Sequence, residues 1–152
     1  MSEESGFTLL ELVIAIFLFG LGLSIILPSF MTARDHAVLE VSMWQIVSDL
    51  RTQQMQAEQD QMYQEVRFPL TGNTYYLYNG ASGLFTGRKI EPPITYYEGI
   101  IHLPQPTIRF NALGNVNESG QIIIKDPEGA IRNTIIYMQY GDMKVTTNPL
   151  LN

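Results

Sequence analysis

From Phe7 to Phe30 the chain is apolar almost without interruption, and Glu11 is its only ionisable side chain there. A helix over this run, at about 1.5 Å per residue, spans somewhat more than the roughly 30 Å hydrocarbon core of a bilayer. From Ser29 to Phe68 there is no Gly or Pro, and the apolar positions take up helical spacing. Leu39, Met43, Ile46, Leu50 and Ala57 form one stripe, flanked by Val38, Trp44 and Val47. Asp35, Glu40, Gln45, Asp49, Gln56 and Gln59 fall on the opposite side. The two segments together predict one helix of about fifty residues, apolar all round in its first half and amphipathic in its second. Pro28 removes a backbone hydrogen bond and is expected to bend it. The polar run Gln53 to Gln61 reads as its solvated end.

Near Tyr63 the period changes to alternation. Gln64 to Phe68 places Val66 and Phe68 on one side and Glu65 and Arg67 on the other, and Thr74 to Tyr78 is rich in aromatic strand formers. Leu70 to Asn73 is a turn between them, and Asn79-Gly80 is a hairpin signal. Gly83, Gly87, Pro92 and Pro93 then mark a loop-like stretch, with short strands at Ile94–Tyr97 and Ile100–Leu103 interrupted by Gly99, Pro104 and Pro106. The last third reads as a meander: Thr107–Phe110, a polar turn from Gly114 to Gly120, Gln121–Lys125, the turn Asp126-Pro127-Glu128-Gly129, Asn133–Tyr140, and Gly141-Asp142 leading into Met143–Thr147. The fold class is α+β. A long N-terminal helix, half transmembrane and half amphipathic, packs its stripe against a small antiparallel sheet.

Composition narrows the functions open to such a chain. With 152 residues and a formal charge of −6, it has room for one modest domain beside the membrane segment. An acidic chain without clustered Lys or Arg is a poor non-specific binder of nucleic acid. There is no cysteine, and hence no disulfide, thiol nucleophile or thiolate metal site. The first six residues carry no Lys or Arg, and the apolar run exceeds a secretory signal core. A plain membrane anchor accounts for the length of the run but not for Glu11, since a charge at the centre of a membrane helix costs about 2.5–3.5 kcal/mol and even a terminal one needs a role.

Gly6-Phe7-Thr8-Leu9-Leu10-Glu11-Leu12-Val13-Ile14-Ala15 resembles the processing site of type IV pilins and pseudopilins. The resemblance implies cleavage between Gly6 and Phe7 by a prepilin peptidase, N-methylation of Phe7, and an assembly role for Glu11. Pro28 falls where many members bend their helix. The glycine-bounded strands from Ile108 to Val145 look like the sheet of the GspH/FimT class of minor pilins, and within it the ComGD-type competence pseudopilins. The leader departs from the usual pattern: Ser5 stands where a base normally precedes the glycine, and Glu3 and Glu4 are acidic. Orientation therefore follows from the resemblance rather than from positive-inside charge. The organisation expected is a leader over 1–6, a transmembrane and filament-core helix over 7–30, an amphipathic helix over 31–62 and an antiparallel β domain over 63–152.

Glu11 has two readings. In one, it pairs with the Phe7 amine of an adjacent subunit, each removing the other's desolvation cost and setting axial register. In the other, it snorkels to the headgroups or caps its own helix.

The remaining chemistry is sparse. His36 and His102 lack metal-ligand spacing, and no P-loop, dinucleotide fingerprint, Gly-x-Ser-x-Gly or His-Glu-x-x-His motif occurs. Glu91 and Glu98 are scattered carboxylates, so no catalytic residue, metal site or cofactor is expected. Asn115, Asn117, Glu118 and Asp126 suit turns better than a Ca²⁺ loop. Tyr75, Tyr76, Tyr78, Tyr96 and Tyr97 are expected to pack the sheet, and Arg88, Lys89, Arg109 and Arg132 form a positive patch only if the fold gathers them. The chain is thus expected to be a non-enzymatic minor pseudopilin in a short extracytoplasmic filament. Its partners would be other pseudopilins, the prepilin peptidase, a membrane assembly platform and lipid, with DNA contact at most indirect. Competence DNA uptake is the favoured system. Type II secretion or a minor type IV pilus is the same-class alternative, and a non-polymerising membrane-anchored β-domain binding protein the different-class one.

Overall fold

The computed structural model describes residues 8–69, 72–96, 106–116, 120–136 and 142–146. One helix, α1, runs from Leu9 to Asp60 and passes through Pro28. It contributes to two compact units, residues 1–34 and 35–152. In the first unit every side chain from Leu9 to Phe30 is exposed, although nearly all are apolar. This is the one helix among the described residues long and apolar enough to cross a membrane, consistent with a single-pass anchor.

In the second unit the expected stripe is buried: Leu39, Met43, Ile46, Leu50 and Ala57 are each 0 % exposed, with Val47 beside them. Burying each of the larger side chains is worth roughly 1.5–3 kcal/mol. Trp44, expected at the flank of that stripe, is instead 55 % exposed. The polar side is less solvated than its spacing suggests. Asp35 is buried, Glu40 binds Arg132, and Asp49 accepts a 2.5 Å hydrogen bond from the Tyr75 hydroxyl. The Gln-rich end is likewise not simply solvated. Gln53 is buried, the Gln54 side-chain amide donates to Gly114 O at 3.0 Å, and that of Gln61 donates to Glu58 O at 2.6 Å. Gln61 itself takes the left-handed conformation, φ 52°, and so ends the helix.

Among the described residues eight strands follow: β1 Gln64–Arg67, β2 Thr74–Asn79, β3 Leu84–Lys89, β4 Thr95–Tyr96, β5 Thr107–Phe110, β6 Gly120–Lys125, β7 Ile131–Ile136 and β8 Met143–Thr146. They form two four-stranded antiparallel sheets rather than one, in the orders β3-β2-β1-β5 and β4-β6-β7-β8. The split arises because β5 returns to pair with β1 while β4 pairs forward with β6. Alternation along the chain says which side a residue faces but not which strand it meets. β3 corrects the loop expected between Gly83 and Pro92. It pairs with β2 along its whole length, Thr74 to Asn79 against Lys89 to Leu84. All six of its residues are exposed, so no apolar alternation announced it. The turn over Leu70 and Thr71, the strand at Ile100–Leu103, and the ends expected at Tyr97, Tyr137 to Gly141 and Thr147 lie wholly or partly outside the described residues.

Both sheets close on the second half of α1. Val66, Tyr75, Leu77, Ile108 and Phe110 come from the first sheet, and Ile122, Ile124 and Met143 from the second. The Thr134 hydroxyl lies 3.0 Å from Met43 Sδ, and Asn133 donates to Gln121 Oε1 at 2.9 Å inside the second sheet. On the other side of the first sheet, Glu65 holds Arg67 at 2.7 Å and Arg109 at 2.9 Å, tying β1 to β5. Burial works to raise the Glu65 carboxyl, but the hydrogen bonds and charges of the two arginines outweigh it and hold the group below the ordinary carboxylate range.

Two outcomes follow. A Cβ at Gly80 would collide with the Tyr63 carbonyl, whereas one at Gly87 would meet Thr74 and Tyr76 at an ordinary 3.6 Å. Gly80→Ala should therefore destabilise the β domain by about 1–3 kcal/mol in chemical denaturation, and Gly87→Ala by much less. Because the Glu65 carboxyl is lowered in the folded state, its ionisation stabilises fully above the unfolded value, and that contribution is lost as the pH falls through the folded one. Thermal melts of Glu65→Gln should accordingly start from lower stability at neutral pH and decline less steeply below the ordinary carboxylate range.

Candidate functional site

The residues singled out by sequence converge on the start of α1. Gly6 and Phe7 lie outside the described residues, so the structure shows the site from Thr8 onward. Thr8 stands immediately before the first helical residue, and its carbonyl accepts from Leu12 N–H at 3.2 Å, the bond expected of an N-cap. The Glu11 carboxylate turns back over this end. Its Oε2 accepts from Thr8 N–H at 2.9 Å and from the Thr8 hydroxyl at 3.0 Å. Glu11 N–H in turn donates to Thr8 Oγ1 at 3.3 Å. This is a reciprocal capping box on a Thr-x-x-Glu spacing, in which each residue's backbone N–H donates to the other's side-chain oxygen. The negative charge also sits at the positive end of the helix dipole.

The capping reading of Glu11 is thus realised within one chain, through a single oxygen. Among the described residues Oε1 has no partner, so the carboxylate retains capacity for a further donor. Thr8 is the functional partner that the sequence reading passed over, although its spacing to Glu11 carried the signal. Pro28 lies inside α1, well downstream of this end.

The other candidates disperse. His36 Nδ1 lies 2.9 Å from the buried carboxylate of Asp126, which also accepts from Ala130 N–H at 2.7 Å. Asp126 therefore serves the β6–β7 turn and its contact with the helix. Asn115 belongs to a turn closed by the Asn111 side chain, and Asn117, Glu118, Glu98 and His102 lie outside the described residues. Among the described residues no three His, Cys, Asp or Glu side chains gather as a metal site would require. Glu91 is exposed. Arg88 lies 3.6 Å from Asp49 and Arg132 pairs with Glu40, so these two do not join Lys89 and Arg109 in one patch. Tyr75 is buried, Tyr76 and Tyr78 lie on the outer side of β2, and Tyr97 is outside the described residues.

With that geometry in place, comparison with known families gives one result. Residues 1–27 match the prokaryotic N-terminal methylation motif. The match spans the leader, the capping box and most of the apolar run, and it supports a type IV pilin-like precursor. Such a motif implies processing by a prepilin peptidase and assembly with other pilins. No curated protein and no solved structure matches the chain.

Thr8→Val removes the hydroxyl from the box and leaves the Glu11 charge in place. A lost N-cap costs about 1 kcal/mol. In detergent micelles, amide exchange at Glu11 and Leu12 should then speed up about fivefold, while exchange near Leu50 stays unchanged.

Proposed function

We propose that the chain is the precursor of a minor pseudopilin. It inserts through residues 7–30, is cut between Gly6 and Phe7, is N-methylated at Phe7, and joins a short extracytoplasmic filament by its apolar helix. The observation that carries this reading is the methylation motif over residues 1–27, lying on an exposed apolar helix whose sole internal charge sits four positions beyond Phe7. A helix of this kind buried among others desolvates both a new N-terminal ammonium and the Glu11 carboxylate. Pairing the two across subunits removes a cost that either bears alone. Glu11 Oε1 is the atom that would accept the neighbour's amine while Oε2 keeps the cap.

The role is assembly and contact with other pseudopilins, the peptidase, the membrane platform and lipid, not catalysis. The arrangement of Gly-bounded strands after Ile108 favours a GspH/FimT-class subunit of a competence system, bringing DNA across the wall. A secretion-system H-type pseudopilin or a minor type IV pilin uses the same parts.

Two substitutions separate pairing from capping. Glu11→Gln preserves a capping box, since Gln serves at that position, but removes the charge. Glu11→Ala removes both. Both variants should reach the membrane and be cut to a chain beginning at methylated Phe7, as read by mass spectrometry. Both should fail to enter sheared filaments. Incorporation of Glu11→Gln at the normal level would assign the carboxylate to capping alone, and an intact Met1 in the membrane fraction of a host with the peptidase would sink the pseudopilin reading.

A further inference from the structure

Where α1 gives way to the first sheet, two tyrosines meet hydroxyl to hydroxyl. Tyr63 stands just past the helix end at Asp60, and Tyr78 lies on β2 opposite Glu65. Their rings are stacked, with centroids 5.6 Å apart and planes 19° from parallel, and their hydroxyls are 3.2 Å apart. Because the hydroxyls approach more closely than the ring centres, the rings converge toward their phenolic ends. The carbons ortho to each hydroxyl therefore lie at the narrow end of the wedge.

Both rings are held in this arrangement. The Arg109 guanidinium covers Tyr63 at 5.5 Å and is itself held by Glu65 at 2.9 Å. The Tyr63 backbone is pressed against the turn that leaves β2, where Gly80 has no room for a Cβ beside the Tyr63 carbonyl. Phe85 packs on Tyr78 with its ring centre 4.8 Å away. The pair is still open to reagents, since Tyr63 is 44 % exposed and Tyr78 half-buried. Ring stacking needs no hydroxyls, and two phenylalanines would supply it. Two phenols that face each other offer a reaction that phenylalanines cannot.

We propose that Tyr63 and Tyr78 form an oxidative cross-linking site, at which a haem peroxidase with hydrogen peroxide joins the two rings as dityrosine. Each phenol gives up one electron and its hydroxyl proton to become a phenoxyl radical. The radicals combine through one ortho carbon of each ring. The two ortho hydrogens then move to the oxygens as protons, which restores both phenols. One C–C bond forms and two C–H bonds break. Two electrons and two protons leave in all, and hydrogen peroxide takes them up to become two waters. Ring carbons already placed side by side need no diffusional encounter, which favours this coupling over any between chains. The product closes the chain between positions 63 and 78 and ties the helix end to β2. In a chain without cysteine it acts as a disulfide would, by restricting the unfolded state. The inference is independent of filament assembly.

The test treats the full chain in nanodiscs with a haem peroxidase and limiting hydrogen peroxide. Dityrosine fluorescence should appear in the single-chain band of a denaturing gel. In a tryptic digest, tandem mass spectrometry should find Thr52–Arg67, whose one tyrosine is Tyr63, joined to Phe68–Arg88 through Tyr78 with the loss of two hydrogens. Tyr63→Phe and Tyr78→Phe keep the rings and should each lower the yield of that product at least about tenfold, whereas Tyr76→Phe should leave it unchanged. The cross-linked chain should melt about 5 °C or more above the untreated one, and the same treatment should not raise the melting temperature of Tyr63→Phe. Circular dichroism melts of the untreated variants should match the parent; if either melts early, the linkage site in the parent decides. Cross-links only between chains, joining through Tyr75 or Tyr76 in place of Tyr78, equal yields in the parent and Tyr63→Phe, or no rise in melting temperature overturns the inference.

Discussion

The β domain depends on one packing event, the seating of Leu39, Met43, Ile46 and Leu50 between two sheets that share a single helix. Neither sheet is large enough to enclose an apolar core alone, and a helix with one buried stripe needs a surface to cover it. The polar bonds follow the same axis. Helix residues from His36 to Met43 reach the second sheet through Asp126, Arg132 and Thr134, while Asp49 reaches the first through Tyr75. Gln54 then holds the loop that leaves β5. The helix is therefore the common wall of both sheets, and its register fixes theirs.

The first half of the same helix obeys a different rule. Upstream of Arg34 the side chains are apolar on every side and exposed throughout Leu9 to Phe30, a surface matched to hydrocarbon or to other apolar helices. In that setting a single carboxylate is conspicuous. The capping box gives Glu11 a role inside its own chain, and the oxygen without a partner among the described residues gives it capacity for a role outside.

How much of this could be read from the sequence follows from how local each interaction is. The helix, its stripe and the Thr8–Glu11 spacing arise from residues three or four apart, so periodicity exposed them. Strands with one buried face, such as Thr74 to Asn79, were legible for the same reason. β3 was not, because an exposed edge strand with Gly87 in it carries no alternation. The division into two sheets was hidden as well, since Glu65 meets Arg109 and Thr95 meets Lys125 only through pairing across long loops. Asp35 and Gln53 were assigned to solvent by helical angle alone, whereas two sheets wrap farther round the helix than one would. The outer-face arginines escaped notice because a cluster built by register leaves no cluster in the chain.

The capping box has a consequence for the order of events at the membrane. Every atom in it, from Thr8 N–H to the Glu11 carboxylate, lies downstream of the Gly6–Phe7 peptide bond. Scission there, or a methyl group added to the nitrogen it frees, alters no donor or acceptor of the first turn. On the cleavage proposed above, the capping box is the same on either side of the cut, so the leader can be shed without rewinding the first turn.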